Sequence, residues 1–157
     1  MCDIKAIVST TATRELADAA VALERGVSWI RRALRPTEWS AIALSSLDAV
    51  DRFGPLRVTD LTARERITQP GMTGLVARLE AAGLVQRRPD PSDGRATLVE
   101  VTTAGHDYLR DLRRRRAETL TGHLQELDPA HQQALVAAAA ALQALAARPV
   151  AGEGATP

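Results

Sequence analysis

Apolar residues recur through the first part of the chain at alternating spacings of four and three positions. The series begins at Leu16 and ends at Leu34. Such spacing forms one apolar stripe along a helix and is typical of the seam of a coiled coil, which requires an apolar partner. Pro36 should end this helix, and Thr37 can serve as the N-cap of a second helix that extends to about Asp51.

Two shorter helices are predicted next. The third lies near residues 58–65, after the break at Phe53-Gly54-Pro55. The fourth should extend from about Gln69 to Ala82, with Thr68 as its N-cap and Gly83 as the residue that ends it. Its apolar residues repeat at helical spacing and form one stripe: Met72, Leu75, Val76 and Leu79. We expect the opposite face to read the major groove of DNA, braced by the third helix.

A β-hairpin is predicted after the fourth helix. Two short runs, 84–88 and 96–101, flank a turn rich in Pro, Asp and Gly. Arg87 and Arg88 lie on the first strand, and Asp93-Gly94-Arg95 occupies the tip. An arginine on such a tip can enter a narrow minor groove, where negative potential is concentrated. Two alternatives are a helical pair packed only for stability and an exposed turn with an incidental ion pair. A DNA-binding role explains the order of helix, turn, helix and basic hairpin better than either alternative.

The rest of the chain predicts two further helices. Thr103 can cap a fifth helix that reaches about Leu127, and Asp128-Pro129 should begin a sixth that ends near Arg148. Residues 149–157 are expected to form a disordered tail. The predicted fold is therefore mainly α, with six helices and a β-hairpin wing, a winged helix-turn-helix.

The length of 157 residues fits one domain, 1–157. Within it we predict a DNA-binding lobe at 37–102 and dimerisation helices at 10–35 and 103–148. Apolar residues on the first and sixth helices are the candidates for a homodimer interface: Leu16, Leu23, Val27, Leu135, Leu142 and Leu145. Antiparallel packing of these helices within one chain is the alternative.

Charge is distributed unevenly along the chain. The net charge is only +1, but residues 52–116 carry 13 basic and 8 acidic residues, a local net charge of +5. A surface that binds phosphates needs such an excess. No apolar run approaches the roughly 18 to 20 residues that span a membrane, and no signal peptide is evident. A single cysteine, Cys2, excludes an internal disulfide and suits the cytoplasm.

The central segment resembles a known family. Residues 58–105, VTDLTARERITQPGMTGLVARLEAAGLVQRRPDPSDGRATLVEVTTAG, are similar to the winged helix-turn-helix of the multiple-antibiotic-resistance regulator (MarR) family. The most specific pieces are LVARLEAAGLVQRRPDPSDGRA and VTTAG, and the helical layout extends the resemblance over about 10–147. The resemblance implies a homodimer built from the first, fifth and sixth helices. It also implies a palindromic operator and repression released by a small aromatic or anionic ligand.

The resemblance also implies roles for individual residues. Four residues fall where the family's recognition helix meets DNA: Gln69, Pro70, Thr73 and Arg78. Arg95 falls on the wing arginine, and Asp93 on the aspartate that orients it. Gly71 and Gly74 depart from the family pattern, which often has larger polar or basic residues there. Few groups then remain for bidentate base contacts, so we expect strong dependence on the wing and on DNA shape.

Other candidate chemistry is sparse. Trp29 and Trp39 could line a ligand pocket, although core packing is the simpler interpretation of each. Cys2 could act as a redox sensor, but its sequence context offers nothing that lowers a thiol pKa. The histidines show no metal-binding spacing, and we expect no cofactor. Arg113 to Arg116 are expected on the surface of the stem. No catalytic motif suggests an enzyme, so a module for protein interaction is the alternative from another class.

Overall fold

The computed structural model describes residues 4–34 and 38–148, except for the side chains of residues 4–11, 94 and 95. The described part of the chain forms six helices and a small sheet. The helices are α1 (Ile4–Ala33), α2 (Ala41–Phe53), α3 (Val58–Glu65), α4 (Gln69–Ala81), α5 (Thr103–Gln125) and α6 (Pro129–Ala146). The strands are β1 (Leu56–Arg57), β2 (Val85–Asp90) and β3 (Asp93–Val101). The predicted mainly α fold with a hairpin wing is confirmed.

The chain divides into two compact units, 1–35 and 36–157. The first unit contains α1, which begins at Ile4, well before the apolar repeat at Leu16. No proline or glycine interrupts residues 4–25, so nothing in the backbone opposes helix over that stretch. Leu16 is 72% exposed, and Val27 is 52% exposed. The apolar stripe predicted for this helix is therefore largely open to solvent.

The hydrophobic core of the second unit is built around α4. Its predicted stripe is buried, and Met72 and Val76 have no exposed surface. Helices α2 and α3 contribute Leu47 and Leu61, and β3 contributes Val99, which belongs to the same cluster. Burial of large aliphatic side chains of this kind stabilises a fold by about 1.5 to 3 kcal/mol for each.

The sheet is antiparallel, with the strand order β1-β3-β2. Strand β1 was not predicted, because two residues are too few to produce a period-two pattern. The hairpin strands are also longer than expected. They reach Asp90 and begin again at Asp93, so Pro91 and Ser92 alone connect them.

The helix caps in the structure confirm some of the predicted caps and correct others. Thr68 and Asp128 cap α4 and α6 as predicted. The cap of α2 is Ser40, so the prediction of Thr37, which lies outside the described residues, was wrong. The Ser40 hydroxyl oxygen accepts from the Ala43 N–H at 3.2 Å, which fixes the later start of the helix, and Trp39 packs against the core immediately before this cap. Helix α5 is capped by Thr102, one residue before the predicted Thr103.

The junction between the hairpin and α5 requires a glycine. The Thr102 hydroxyl donates to the Gly83 carbonyl at 2.6 Å and accepts from the Gly105 N–H at 3.0 Å. A Cβ atom on Gly105 would lie 2.1 Å from the Leu84 carbonyl oxygen. Because that oxygen belongs to a buried backbone segment that is already hydrogen-bonded to the Thr102 N–H, it cannot move aside easily. This contact explains the glycine in the VTTAG motif.

We therefore expect Gly105→Ala to destabilise the protein by about 2 kcal/mol or more, because the added methyl group overpacks the junction. Urea unfolding followed by circular dichroism measures the change. Gly122→Ala is the matched control, since a Cβ atom there would meet nothing within 4 Å. It should stabilise the same helix by up to about 1 kcal/mol. Equal stabilities for the two variants would contradict the role assigned to Gly105.

Candidate nucleic-acid interface

Helix α4 presents an exposed face opposite its buried stripe. Thr68 begins the helix, and its side-chain oxygen accepts from the Gly71 N–H at 3.4 Å. The four residues predicted to meet DNA are all exposed: Gln69, Pro70, Thr73 and Arg78. A Cβ atom on Gly74 would meet no atom of the chain within 4 Å, so packing within the protein does not require this glycine. The face is accessible and carries few hydrogen-bonding groups.

The two arginines predicted on the wing both form ion pairs within the molecule. A guanidinium nitrogen of Arg87 lies 3.1 Å from Glu80 on α4, and one of Arg88 lies 3.6 Å from Glu100 on β3. Glu100 also accepts a hydrogen bond from Gln86. Exposed pairs of this kind stabilise a protein by about 1 kcal/mol at most. Exchange of such a partner for a DNA phosphate is therefore inexpensive, and the DNA contact of either arginine stays a prediction.

The tip of the wing is described only in part. Asp93 pairs in register with Asp90 where β3 begins, and Gly94 and Arg95 continue the strand. The Arg95 side chain lies outside the described residues, so its expected pairing with Asp93 stays a prediction. Asp93 does influence another basic residue, because its charge is one of the contributions that favour the protonated form of Arg57.

An ion pair that sequence reasoning missed connects β1 to the end of β2. The Nε and Nη2 atoms of Arg57 donate to Oδ2 of Asp90 at 2.8 and 2.5 Å. The Asp90 side chain is only 7% exposed. Its Oδ1 atom accepts from the Ser92 hydroxyl at 2.7 Å and from the Ser92 N–H at 2.8 Å. The Asp-Pro-Ser sequence, which is typical of a turn stabilised by its aspartate, was the available signal.

These contacts shift the pKa of both partners. The hydrogen bonds from Ser92, and after them the guanidinium of Arg57, lower the pKa of Asp90 from 3.8 to about 2. Hydrogen bonding to Asp90 and its charge raise the pKa of Arg57. Asp90 is therefore ionised throughout the neutral range, and the pair stays intact there.

A second network connects α5 to α2. Arg113 donates to Asp48 at 2.6 Å and to Asp51 at 2.8 Å. Nδ1 of His106 lies 2.6 Å from the other carboxylate oxygen of Asp51. The hydrogen bond from Arg113 is the largest contribution to the lowered pKa of Asp51, and it outweighs the opposing effect of burial. Arg113 thus joins α5 to α2, in addition to lying on the surface as expected.

The tryptophans proposed for a ligand pocket lie in different units. Trp39, in the second unit, is partly buried and packs against the core, the alternative raised from the sequence. Trp29 is 43% exposed on α1, in the first unit. Cys2 lies outside the described residues. Within the described ranges, no cluster of three or more His, Cys, Asp or Glu residues is placed to hold a metal ion.

Helix α4, its supporting helices and the adjacent hairpin define the class: a winged helix-turn-helix protein that binds DNA. Comparisons with known proteins agree. A model of the MarR family matches residues 40–96. The HTH-type transcriptional regulator Mb0904 of Mycobacterium bovis is 36% identical over 109 residues, which cover 68% of this chain and 76% of the relative. The chain belongs to the MarR family and is a transcriptional regulator, not an enzyme.

Solved structures show the same fold. A putative transcriptional regulator from Pseudomonas aeruginosa superposes with a TM-score of 0.68 at 26% identity, covering 88% of this chain and 99% of the other. BpsR of Bordetella bronchiseptica, whose DNA binding is regulated by 6-hydroxynicotinic acid, superposes with a TM-score of 0.51 at 22% identity. The superposition covers 83% of this chain and 91% of BpsR. Among the residues that the structure describes, no helix combines the length and apolar character needed to cross a membrane.

The shifted pKa of Asp90 predicts a specific dependence of stability on pH. A carboxyl whose folded-state pKa lies near 2, below its ordinary 3.8, stabilises the fold fully above about pH 4 and loses that contribution as the pH falls toward 2. Asp90→Asn should therefore unfold more easily than the wild type at pH 7, and the difference should shrink between pH 4 and pH 2. Urea midpoints measured across this range test the expectation.

Asp111→Asn is the control, because Asp111 is an exposed residue of α5 whose partner Arg114 lies 3.5 Å away. Its difference from the wild type should stay small at every pH. A difference between Asp90→Asn and the wild type that stays constant from pH 7 to pH 2 would show that ionised Asp90 does not stabilise the fold.

Proposed function

We propose that this regulator is a homodimer that represses transcription from a palindromic operator and is released by a small aromatic or anionic ligand. The observation that carries the proposal is the exposed face of α4 beside a hairpin with basic residues. Two such units related by a two-fold axis can read half-sites about one helical turn of DNA apart. The family resemblance supports repression as the mode of action.

The proposed division of DNA contacts follows from the chemistry of the exposed face. Gln69 and Arg78 carry the groups that can hydrogen-bond to base edges, whereas Thr73 offers one hydroxyl and Pro70 none. Arg87 and Arg88 are suited to phosphates, and Arg95 to the minor groove. Operator selection should then depend on the width of the minor groove as well as on base identity.

Exposed apolar side chains on α1 and α6 support the proposed dimer. Leu135, Leu142 and Leu145 on α6 are each 39% exposed or more in the single chain. Leu16, Leu23 and Val27 on α1 are exposed to a similar or greater degree. Aliphatic stripes of this kind are normally covered by a partner. A second copy of the chain, with the same stripes, would cover them symmetrically.

Release by a ligand is the part of the proposal that rests most on relatives. The DNA binding of BpsR is regulated by 6-hydroxynicotinic acid, an aromatic acid. We propose a ligand of the same chemical class for this chain. A rise in melting temperature with added 6-hydroxynicotinic acid or a related acid tests this part.

The role of the wing is tested by Arg95→Ala. Binding to a fluorescent operator fragment, isolated by selection from random DNA, should weaken about tenfold or more. The dependence of log K on log salt should also become shallower by about 0.9 for each wing that loses a phosphate or groove contact.

Arg110→Ala serves as the control, because Arg110 is an exposed arginine of α5 whose ion pair is with the neighbouring Asp107. It should bind DNA like the wild type. Equal binding by Arg95→Ala and the wild type would contradict the proposed wing contact. Binding that is insensitive to salt between about 50 and 200 mM would instead favour a protein-interaction module.

The dimer is tested by Leu142→Glu, which places a charge on the proposed apolar interface. We expect dissociation to monomers, measured by light scattering after size exclusion, and loss of operator binding. Val136→Glu is the matched control, because Val136 is 76% exposed and lies on another face of the same helix. A Leu142→Glu variant that stays dimeric would remove α6 from the interface.

A further inference from the structure

The tip of the wing is tied to the beginning of the helix-turn-helix. Arg57 is both a residue of β1 and the N-cap residue of α3, and its N–H donates to Asp60 at 3.1 Å. Its side chain extends past β3 to Asp90, the last residue of β2 and 33 positions away in the chain. The contact therefore joins two parts of the lobe that the sequence separates widely.

Both carboxylate oxygens of Asp90 accept hydrogen bonds, and each oxygen has one partner residue. One carboxylate oxygen accepts both bonds from Arg57, and the other accepts both bonds from Ser92. Ser92 is half of the Pro91-Ser92 loop, and Asp93 begins β3 directly after it. Asp90 thus fixes the loop on one side and is itself held by Arg57 on the other.

This connection matters because the hairpin extends beyond its last pair with β1, Arg57 with Leu98, and a two-stranded ribbon is marginally stable by itself. The hydrogen-bond ladder that holds the tip is irregular between Pro89 and Asp90, and the contact with Arg57 is made at this point. A side chain that must enter a groove of DNA needs its backbone in a defined place before binding, since ordering it during binding costs affinity.

We propose that Arg57 and Asp90 are positioning residues for DNA binding: their ion pair holds the Pro91-Ser92 loop, and with it the wing tip, in place for the groove. The proposal rests on the proposed function of the wing. The lowered pKa of Asp90 agrees with it, because the pair stays ionised wherever DNA binding is measured.

Asp90→Asn separates positioning from simple electrostatics. Removal of a negative charge near DNA would strengthen binding if charge alone mattered. Positioning predicts the opposite result, about a fivefold to tenfold weaker affinity, because the neutral amide holds Arg57 less well. Glu100→Gln is the matched control: it removes the same charge from the same hairpin, leaves the loop contacts intact, and should bind as well as the wild type or more tightly.

Arg57→Lys is the second variant and keeps the positive charge. Lysine cannot reproduce the paired Nε and Nη2 bonds to one oxygen, so positioning predicts weaker binding with an unchanged salt dependence. If Arg57→Lys binds DNA as well as the wild type, the positioning proposal is overturned. This variant tests the proposal even if Asp90→Asn does not fold.

Two further readouts make the test specific to the tip. Trypsin cleavage of the Arg95–Ala96 bond, corrected for global stability from urea unfolding, should accelerate in Asp90→Asn and Arg57→Lys but not in Glu100→Gln. In the Arg95→Ala background, Asp90→Asn should cost less than a further twofold in affinity, because both changes act through the same contact.

The outcomes distinguish the two proposals. If Arg95→Ala binds operator like the wild type, the proposed function of the wing fails. If Arg95→Ala weakens binding but Asp90→Asn and Arg57→Lys do not, the wing contact stands and the positioning proposal is overturned. Fully additive losses from Asp90→Asn and Arg95→Ala would also overturn it.

Discussion

Helix α4 gives one narrow stripe of side chains to the core, and the arrangement of the lobe follows from that burial. Met72 and Val76 are fully enclosed, among residues from α2, α3 and the sheet. A helix held by one face must turn the other to solvent. The same packing that stabilises the lobe therefore fixes which residues of α4 can reach DNA.

The exposed face is chemically plain, and for this reason we proposed a larger part in DNA binding for the wing. Gly74 contributes no side chain, and packing within the chain does not demand a glycine there. In that proposal, a basic side chain at the tip compensates only if its backbone is held. The Arg57–Asp90 pair connects the tip loop to the N-terminus of α3, which is the basis of the positioning role proposed for it. The plain helix face and the anchored wing are thus complementary.

Local patterns in the sequence predicted much of this architecture. The α4 stripe, its Thr68 cap and the Asp128 cap depend on residues within a few positions of one another, so the sequence displays them directly. The α2 cap is Ser40 and not the predicted Thr37, because both are suitable hydroxyl residues and a local pattern does not distinguish them.

Long-range pairings were beyond the reach of such patterns. Arg57 reads as an ordinary basic residue and Asp90 as an ordinary turn residue, and only the fold brings them within 2.5 Å. The same applies to Arg113, which was expected on the stem surface but bridges α5 to two aspartates of α2. Gly105 is similar: its motif was visible in the sequence, but the Leu84 carbonyl that requires it was not.

The distribution of buried residues also bears on the proposed dimer. The buried residues of α5 lie in its first half and end at Leu112, and α6 has none. An 18-residue helix without buried side chains is marginal in water, since most helical stability in proteins comes from packing. The second half of α5 and all of α6 therefore gain little stability from packing within a single chain. A partner that covers their apolar residues would link the stability of the stem to assembly, and a two-fold partner would at the same time pair the two DNA-binding lobes.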